Sequence, residues 1–183
     1  DLTIGDGISL SAKGVAGGAY CLSVGGDADL YASGAVTVGT LILGDDAAVK
    51  TGGRLTVKKT LEAQGNADII LTEKKGASIK DTVTISGIPV SVRIQDKSGA
   101  IVTPAQNAVL FQVTGDSYAG QYESVGADET AQTLYRKGNT LRVLGAQQIA
   151  AVLYDETAGV EDLGGYLSLV DVKAEISRRK RKT

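Results

Sequence analysis

Histidine, methionine and tryptophan are absent from this 183-residue chain, cysteine and phenylalanine occur once each, and proline twice. Without histidine the chain lacks the usual general base, the commonest metal ligand and the imidazole on which serine and cysteine triads depend. A single cysteine, Cys21, excludes an intrachain disulfide. Within Tyr20-Cys21-Leu22-Ser23-Val24 it reads as a small strand residue, not a nucleophile. Aromatic residues make up only 4% of the chain. Small side chains, β-branched residues and leucine must therefore fill the core, which suits thin stacked layers. No apolar run approaches the roughly 20 residues of a spanning helix, so no membrane insertion is expected of this segment. The absent Met makes Asp1 the expected start of a processed or excised chain. A net charge of −2 gives no long-range attraction to nucleic acid, and no nucleic-acid partner is expected.

Glycine, by contrast, is plentiful, with 24 residues. So many glycines beside so few prolines point to tight turns between regular elements. Three tetrapeptides, Asp27-Ala28-Asp29-Leu30, Asp46-Ala47-Ala48-Val49 and Asn66-Ala67-Asp68-Ile69, recur at steps of about 20 residues. Each follows a short alternating apolar stretch, Leu22-Ser23-Val24, Leu41-Ile42-Leu43 and Leu61-Glu62-Ala63. From residue 2 to about 95 the apolar signal has period two, the pattern of half-buried strands. Successive coils read Leu22/Val24, Leu30, Val36/Val38, then Leu41/Leu43, Val49, Leu55/Val57, then Leu61/Ala63, Ile69/Leu71, Ile79. A fourth begins at Val83/Ile85 and runs through Val90, Val92 and Ile94. Three short strands per turn, with Gly-, Asp- or Lys-bearing corners, predict an all-β fold, a right-handed parallel β-helix (solenoid).

After Gly99 the repeat fades. Ala108–Val113, Thr133–Tyr135 and Thr140–Leu144 read as strands, with a turn at Arg136-Lys137-Gly138-Asn139, and Ile149–Tyr154 as one more. The stretch from Gly115 to Thr130 reads as a long loop with a strand near Tyr122. A solenoid end exposes strand edges and apolar layers, so residues 100–155 are expected to extend the stack irregularly and cover it. Leu169, Val172 and Ile176 then follow helical spacing. They predict a short C-terminal helix before the basic run Arg178-Arg179-Lys180-Arg181-Lys182, read as a solvated tail. The expected organisation is a β-helix unit over 1–155, with regular coils about 2–99. Residues 156–183 would supply a linker, helix and tail leading toward a following unit.

Two stretches carry a resemblance. Ala119-Gly120-Gln121-Tyr122 through Leu134-Tyr135-Arg136-Lys137-Gly138-Asn139-Thr140-Leu141-Arg142-Val143 resembles a closing segment. Gly165-Tyr166-Leu167-Ser168-Leu169-Val170-Asp171-Val172-Lys173-Ala174-Glu175-Ile176 resembles a helix that opens a next unit. Both are similar to parts of repetitive β-helical, adhesin-like (pectate-lyase-like solenoid) cell-surface proteins of Gram-positive and gut bacteria. That resemblance implies an extracellular, cell-wall-associated role without enzymatic activity, and neighbouring repeats of a longer parent chain as partners. It implies no catalytic or ligand residue.

Stacked coils would bring Asp27, Asp46 and Asn66 into one file about 4.8 Å apart per rung, and Asp29 and Asp68 into another with Ala48 between. Such residues ordinarily hold corners through side chain to backbone hydrogen bonds. The sharper alternative is a Ca²⁺ site at Asp27, Asp29 and Asp46, since hard carboxylate oxygens suit that ion. A glycosidase would need two carboxyls roughly 5 to 9.5 Å apart, one with a raised pKa. Asp27/Asp46 or Asp45/Asp46 would meet the distance, yet no apolar pocket is legible around them, and no catalytic residue or other cofactor is expected. Tyr118, Tyr122, Tyr135, Tyr154 and Tyr166 lie outside the regular coils. The first three are the candidate ligand-binding residues for sugars, against the commoner packed role of such tyrosines. The expected function is a non-enzymatic, adhesin-like module contacting host or matrix glycans or proteins. Its rivals are a carbohydrate-binding module or carbohydrate-active β-helix enzyme, and an inert structural spacer.

Overall fold

Period-two patterning over many short segments demands strands that each bury one face, and the computed structural model shows how these are stacked. It describes residues 1–64, 66–79, 82–86, 89–114 and 119–144. One sheet lays β1 (Leu2–Ile4), β3 (Val15–Val24), β5 (Val36–Leu43) and β7 (Leu55–Gln64) side by side. A second sheet does the same with β2 (Ser9–Ala12), β4 (Asp29–Ala32), β6 (Ala48–Thr51), β8 (Asp68–Thr72) and β11 (Val90–Gln95). Every neighbour within these runs is parallel. The chain is therefore a β-solenoid of parallel stacked coils, as the repeat predicts.

Register explains the repeat length. Leu2 lies beside Leu22, Leu22 beside Leu41, and Leu41 beside Leu61. In the second sheet Leu30 pairs with Val49, Val49 with Ile69, and Ile69 with Val92. All of these except Leu2 are buried, so each apolar column becomes a file of contacts running through the core. Ala28, Ala47 and Ala67 are also fully enclosed. Ala28 and Ala47 close the turns 25–28 and 44–47, where Ala28 N–H donates to Gly25 O and Ala47 N–H to Gly44 O. A methyl group is all that the corner between two sheets accommodates.

The expected three strands per coil are present in register, but two of them are fused. β5 pairs through Val36–Val38 and again through Leu41–Leu43, with a register shift between. β3 is interrupted in the same way between Gly17 and Cys21. An irregularity of this kind bends a strand without a loop; Gly17-Gly18 and Gly39 lie at the two shifts, and Lys58-Lys59 at the equivalent place on β7. Where the next coil stacks on β7, its two halves are continued by separate strands. β9 (Ala77–Ile79) pairs with Leu55–Val57, and β10 (Thr82–Ser86) with Thr60–Gln64.

Beyond β11 the parallel order gives way to antiparallel strands. β12 (Ile101–Val102) turns back on β11, while β13 (Val109–Val113) runs parallel to β9. A single 3-10 turn at Ala119–Gln121 leads into β14 (Tyr122–Val125), which stacks parallel on β11 and receives β15 (Ala131–Gln132) in the antiparallel sense. β16 (Leu134–Lys137) and β17 (Thr140–Val143) form a hairpin, and β17 closes antiparallel on β13. These strands cover the end of the stack, as the sequence predicts for the region up to residue 144. The predicted strand at 149–154 and the predicted helix around Leu169, Val172 and Ile176 lie outside the described residues.

Candidate functional site

The corner file is built by backbone stacking. Registers Ser9↔Asp29, Asp29↔Ala48 and Ala48↔Asp68 place Gly7, Asp27, Asp46 and Asn66 at equivalent corners. Asp27 Oδ1 accepts the N–H of Gly7 at 2.6 Å, and Asp45 Oδ1 accepts the N–H of Asn66 at 3.1 Å. Each carboxylate thus ties its own corner to that of a neighbouring coil through a side chain to backbone hydrogen bond. Asp46 itself sits at φ 62°, the left-handed region that Asn, Asp and Gly enter most readily. Asp29 belongs elsewhere: it projects from β4, where its Oδ2 accepts from Ser9 Oγ at 3.2 Å. The three residues of the calcium reading are thus divided between a corner and a sheet face. Among the described residues no group of three Asp, Glu or Cys gathers as a metal site.

The outer face of the second sheet carries the densest arrangement of functional groups. Pairing aligns Asp29, Ala48, Asp68, Ser91 and Glu123 in one outward file, and Tyr31, Lys50, Ile70 and Arg93 in the next. Tyr31 is 45% exposed, and Lys50 Nζ lies 5.4 Å from its ring centroid, a cation–π distance. Arg93 spans two acids. It forms paired 2.8 Å hydrogen bonds to Glu129 and approaches Asp68 Oδ1 at 3.6 Å. Glu129 occupies a left-handed backbone position at φ 62°, held by that fork.

The two acids respond oppositely. Burial pushes the Asp68 carboxyl above its ordinary range, more than Arg93 pulls it down, while the hydrogen bond from Arg93 holds Glu129 below its own. A folded-state pKa raised above 3.8 contributes stability that is fully present below pH 3.8 and lost as pH rises through the folded value. Asp68→Asn is therefore expected to be at least as stable as the parent at pH 7. The difference should close as pH falls below 3.8. Thermal melts of both chains from pH 3 to 7 check this; a variant markedly less stable at pH 7 contradicts it.

The candidate tyrosines are placed differently from the expectation of loop presentation. Tyr122 is fully buried in β14, edge-on to Phe111 with ring centroids 5.0 Å apart. Tyr135 is also buried, and its hydroxyl donates to Asn107 Oδ1. Burial raises its phenol pKa against the pull of Arg142. Neither ring is free to stack on a sugar, because the capping strands need bulky apolar groups to fill the stack's end. Tyr118, Tyr154 and Tyr166 lie outside the described residues. Among the described residues the exposed rings are Tyr20 and Tyr31, both on the regular coils. Their outward register would have identified them, since Tyr31 alternates with the buried Leu30 and Ala32.

Sequence reasoning also missed the Arg93–Glu129 fork, because 36 residues separate its members. Cys21 is a partly exposed strand residue whose N–H donates to Asp1 Oδ1 at 2.9 Å. No helix among the described residues is long and apolar enough to cross a membrane. Compared with known proteins, the chain matches no family model, no curated protein and no solved structure.

Proposed function

We propose that this chain is a non-enzymatic, adhesin-like module of a secreted or cell-wall-associated bacterial surface protein, acting as a stiff rod that presents its faces to glycans or proteins. The supporting observation is the register-matched stack itself. Files such as Leu22, Leu41 and Leu61 bury one side of every strand, leaving the other side as a flat, ordered outer surface. A rod of this kind transmits its core contacts along one axis. Leu2 and Ile8 are exposed on the first coil, where β1 and β2 end their sheets. An adjoining repeat of a longer parent chain would stack there.

A carbohydrate-binding version of this role is favoured by Tyr31. Its exposed ring, flanked by Lys50 and by Asp29 of the neighbouring file, offers a stacking surface beside hydrogen-bonding groups. Immobilised glycans and matrix proteins should retain the chain, and Tyr31→Ala should weaken retention about tenfold with its melting temperature preserved. Retention that is indifferent to Tyr31 moves the contact elsewhere on the rod. No retention on any surface supports an inert spacer. Turnover of a polymeric sugar, abolished by Asp46→Asn, would overturn the non-enzymatic assignment.

A further inference from the structure

A cleft of 610 Å³ opens where the capping segment leaves the coils. Its lining comes from Arg54 just before β7, the corner before β9, Ile94 of β11, β12 with the segment after it, and β13. Arg54, Lys74 and Lys75 line it together with the apolar Ile94, Val102 and Val109. The volume lies within the several hundred cubic ångströms typical of small-molecule sites.

Of these cations, Arg54 is held in place. Arg54 Nη2 donates to Gln112 Oε1 at 2.9 Å, and Nη1 reaches Lys75 O at 3.5 Å. A guanidinium has five N–H donors, so this anchoring fixes the group and leaves others to bind. Among the described residues none of Arg54, Lys74 and Lys75 forms an ion pair; both ion pairs belong to Arg93. Lys74 is also held at φ 64°, in the corner closed by Lys75 N–H to Thr72 O at 3.0 Å. Val109 also lines the cleft and is 49% exposed, an apolar surface left wet.

We infer that this cleft binds a small amphipathic carboxylate, with its anionic head on Arg54, Lys74 and Lys75 and an acyl or aryl body against Val102 and Val109. Three unpaired cations against a single lining acid, Glu73, select an anion by charge complementarity. The apolar wall selects the body, because a polyhydroxylated acid would leave most of its hydroxyl groups facing carbon. This assignment is independent of the surface-rod proposal and stands if that proposal fails.

The test uses the full chain and 1-naphthylacetate, with its neutral methyl ester as the control. The chain has no Trp, so naphthyl fluorescence is read with little protein background. Saturable binding of the acid is expected, about tenfold tighter than the ester. Lys74→Gln/Lys75→Gln together should sharply reduce that preference, Arg54 alone remaining. Val109→Glu, at an exposed position, should weaken the acid by a similar factor with the melting temperature unchanged, and decides the matter should the lysine variant fail to fold. Equal affinity for acid and ester, no saturable binding, or affinity untouched by either variant would overturn the inference. So would preference for an oligogalacturonate over the naphthyl acid.

Discussion

Gly52→Ala is expected to cost about 3 kcal/mol of folding free energy, lowering the melting temperature by roughly 6 to 12 °C for a chain of this size. An added Cβ would stand 2.2 Å from Ser33 O and 2.8 Å from its carbonyl carbon, both backbone atoms of the coil beneath. No flexible side chain can yield there, so the two coils must separate or shift register. Gly52 is not in the left-handed region, so its cost is one of contact and not of conformation. The same reasoning ranks a second corner, in which Gly5, Gly25 and Gly44 each open an equivalent turn. At Gly44 a Cβ meets Gly26 N at 2.9 Å and Gly25 C at 3.0 Å; at Gly25 it meets Asp6 Oδ1 at 2.5 Å and Ile4 O at 3.1 Å. At Gly5 the nearest atom is Ile8 Cδ1 at 3.8 Å, an ordinary contact. Replacing glycine also restricts the unfolded chain, which favours folding by about 0.4–1 kcal/mol where the native site tolerates alanine. Gly5→Ala should therefore be neutral or stabilising, while Gly25→Ala and Gly44→Ala destabilise. Calorimetric melts of the four variants test the series, and equal effects at Gly5 and Gly44 would contradict coil-on-coil stacking as its cause.

How much of this was legible in advance follows from the kinds of contact involved. The stack was readable because its determinants repeat: Ala28, Ala47 and Ala67 fill one kind of corner, and each is followed two residues later by a buried Leu30, Val49 or Ile69. Alternation then sets which side chains face inward. The fused third corner is harder to read, since its glycines, Gly17-Gly18 and Gly39, lie inside continuous strands and β7 has Lys58-Lys59 in their place. The cap was readable as strands but not as packing. Tyr122 meets Phe111 only through the β14–β11 and β13–β9 pairings, which no periodicity announces. Arg93 and Glu129 likewise meet because a non-repeating loop returns to the second sheet. Sites that depend on where irregular segments return, the cleft beside β13 among them, leave little trace in a local pattern.

Tyr122→Ala provides the second large effect and separates two roles for the same residue. A surface tyrosine contacting sugar would lose affinity on truncation and leave the fold intact. A fully enclosed ring should instead cost about 4 kcal/mol, as large aromatic truncations in cores do through lost transfer energy and a residual cavity. That corresponds to a fall of about 8 to 16 °C in melting temperature. Tyr122→Phe keeps the edge-on contact with Phe111 and should retain most of this stability. Tyr31→Ala, by contrast, alters an exposed ring, and exposed substitutions usually stay within about 0.5 kcal/mol. The contrast between Tyr31 and Tyr122 therefore tests the capping arrangement directly. Should Tyr122→Ala melt with the parent chain, the ring cannot be sealing the stack between β13 and β14. The antiparallel strands would then have to cover the coil end without it. Should it unfold early while Tyr31→Ala does not, the aromatic content of this chain divides by position: rings in the irregular strands close the core, and rings on the regular coils remain available at the surface.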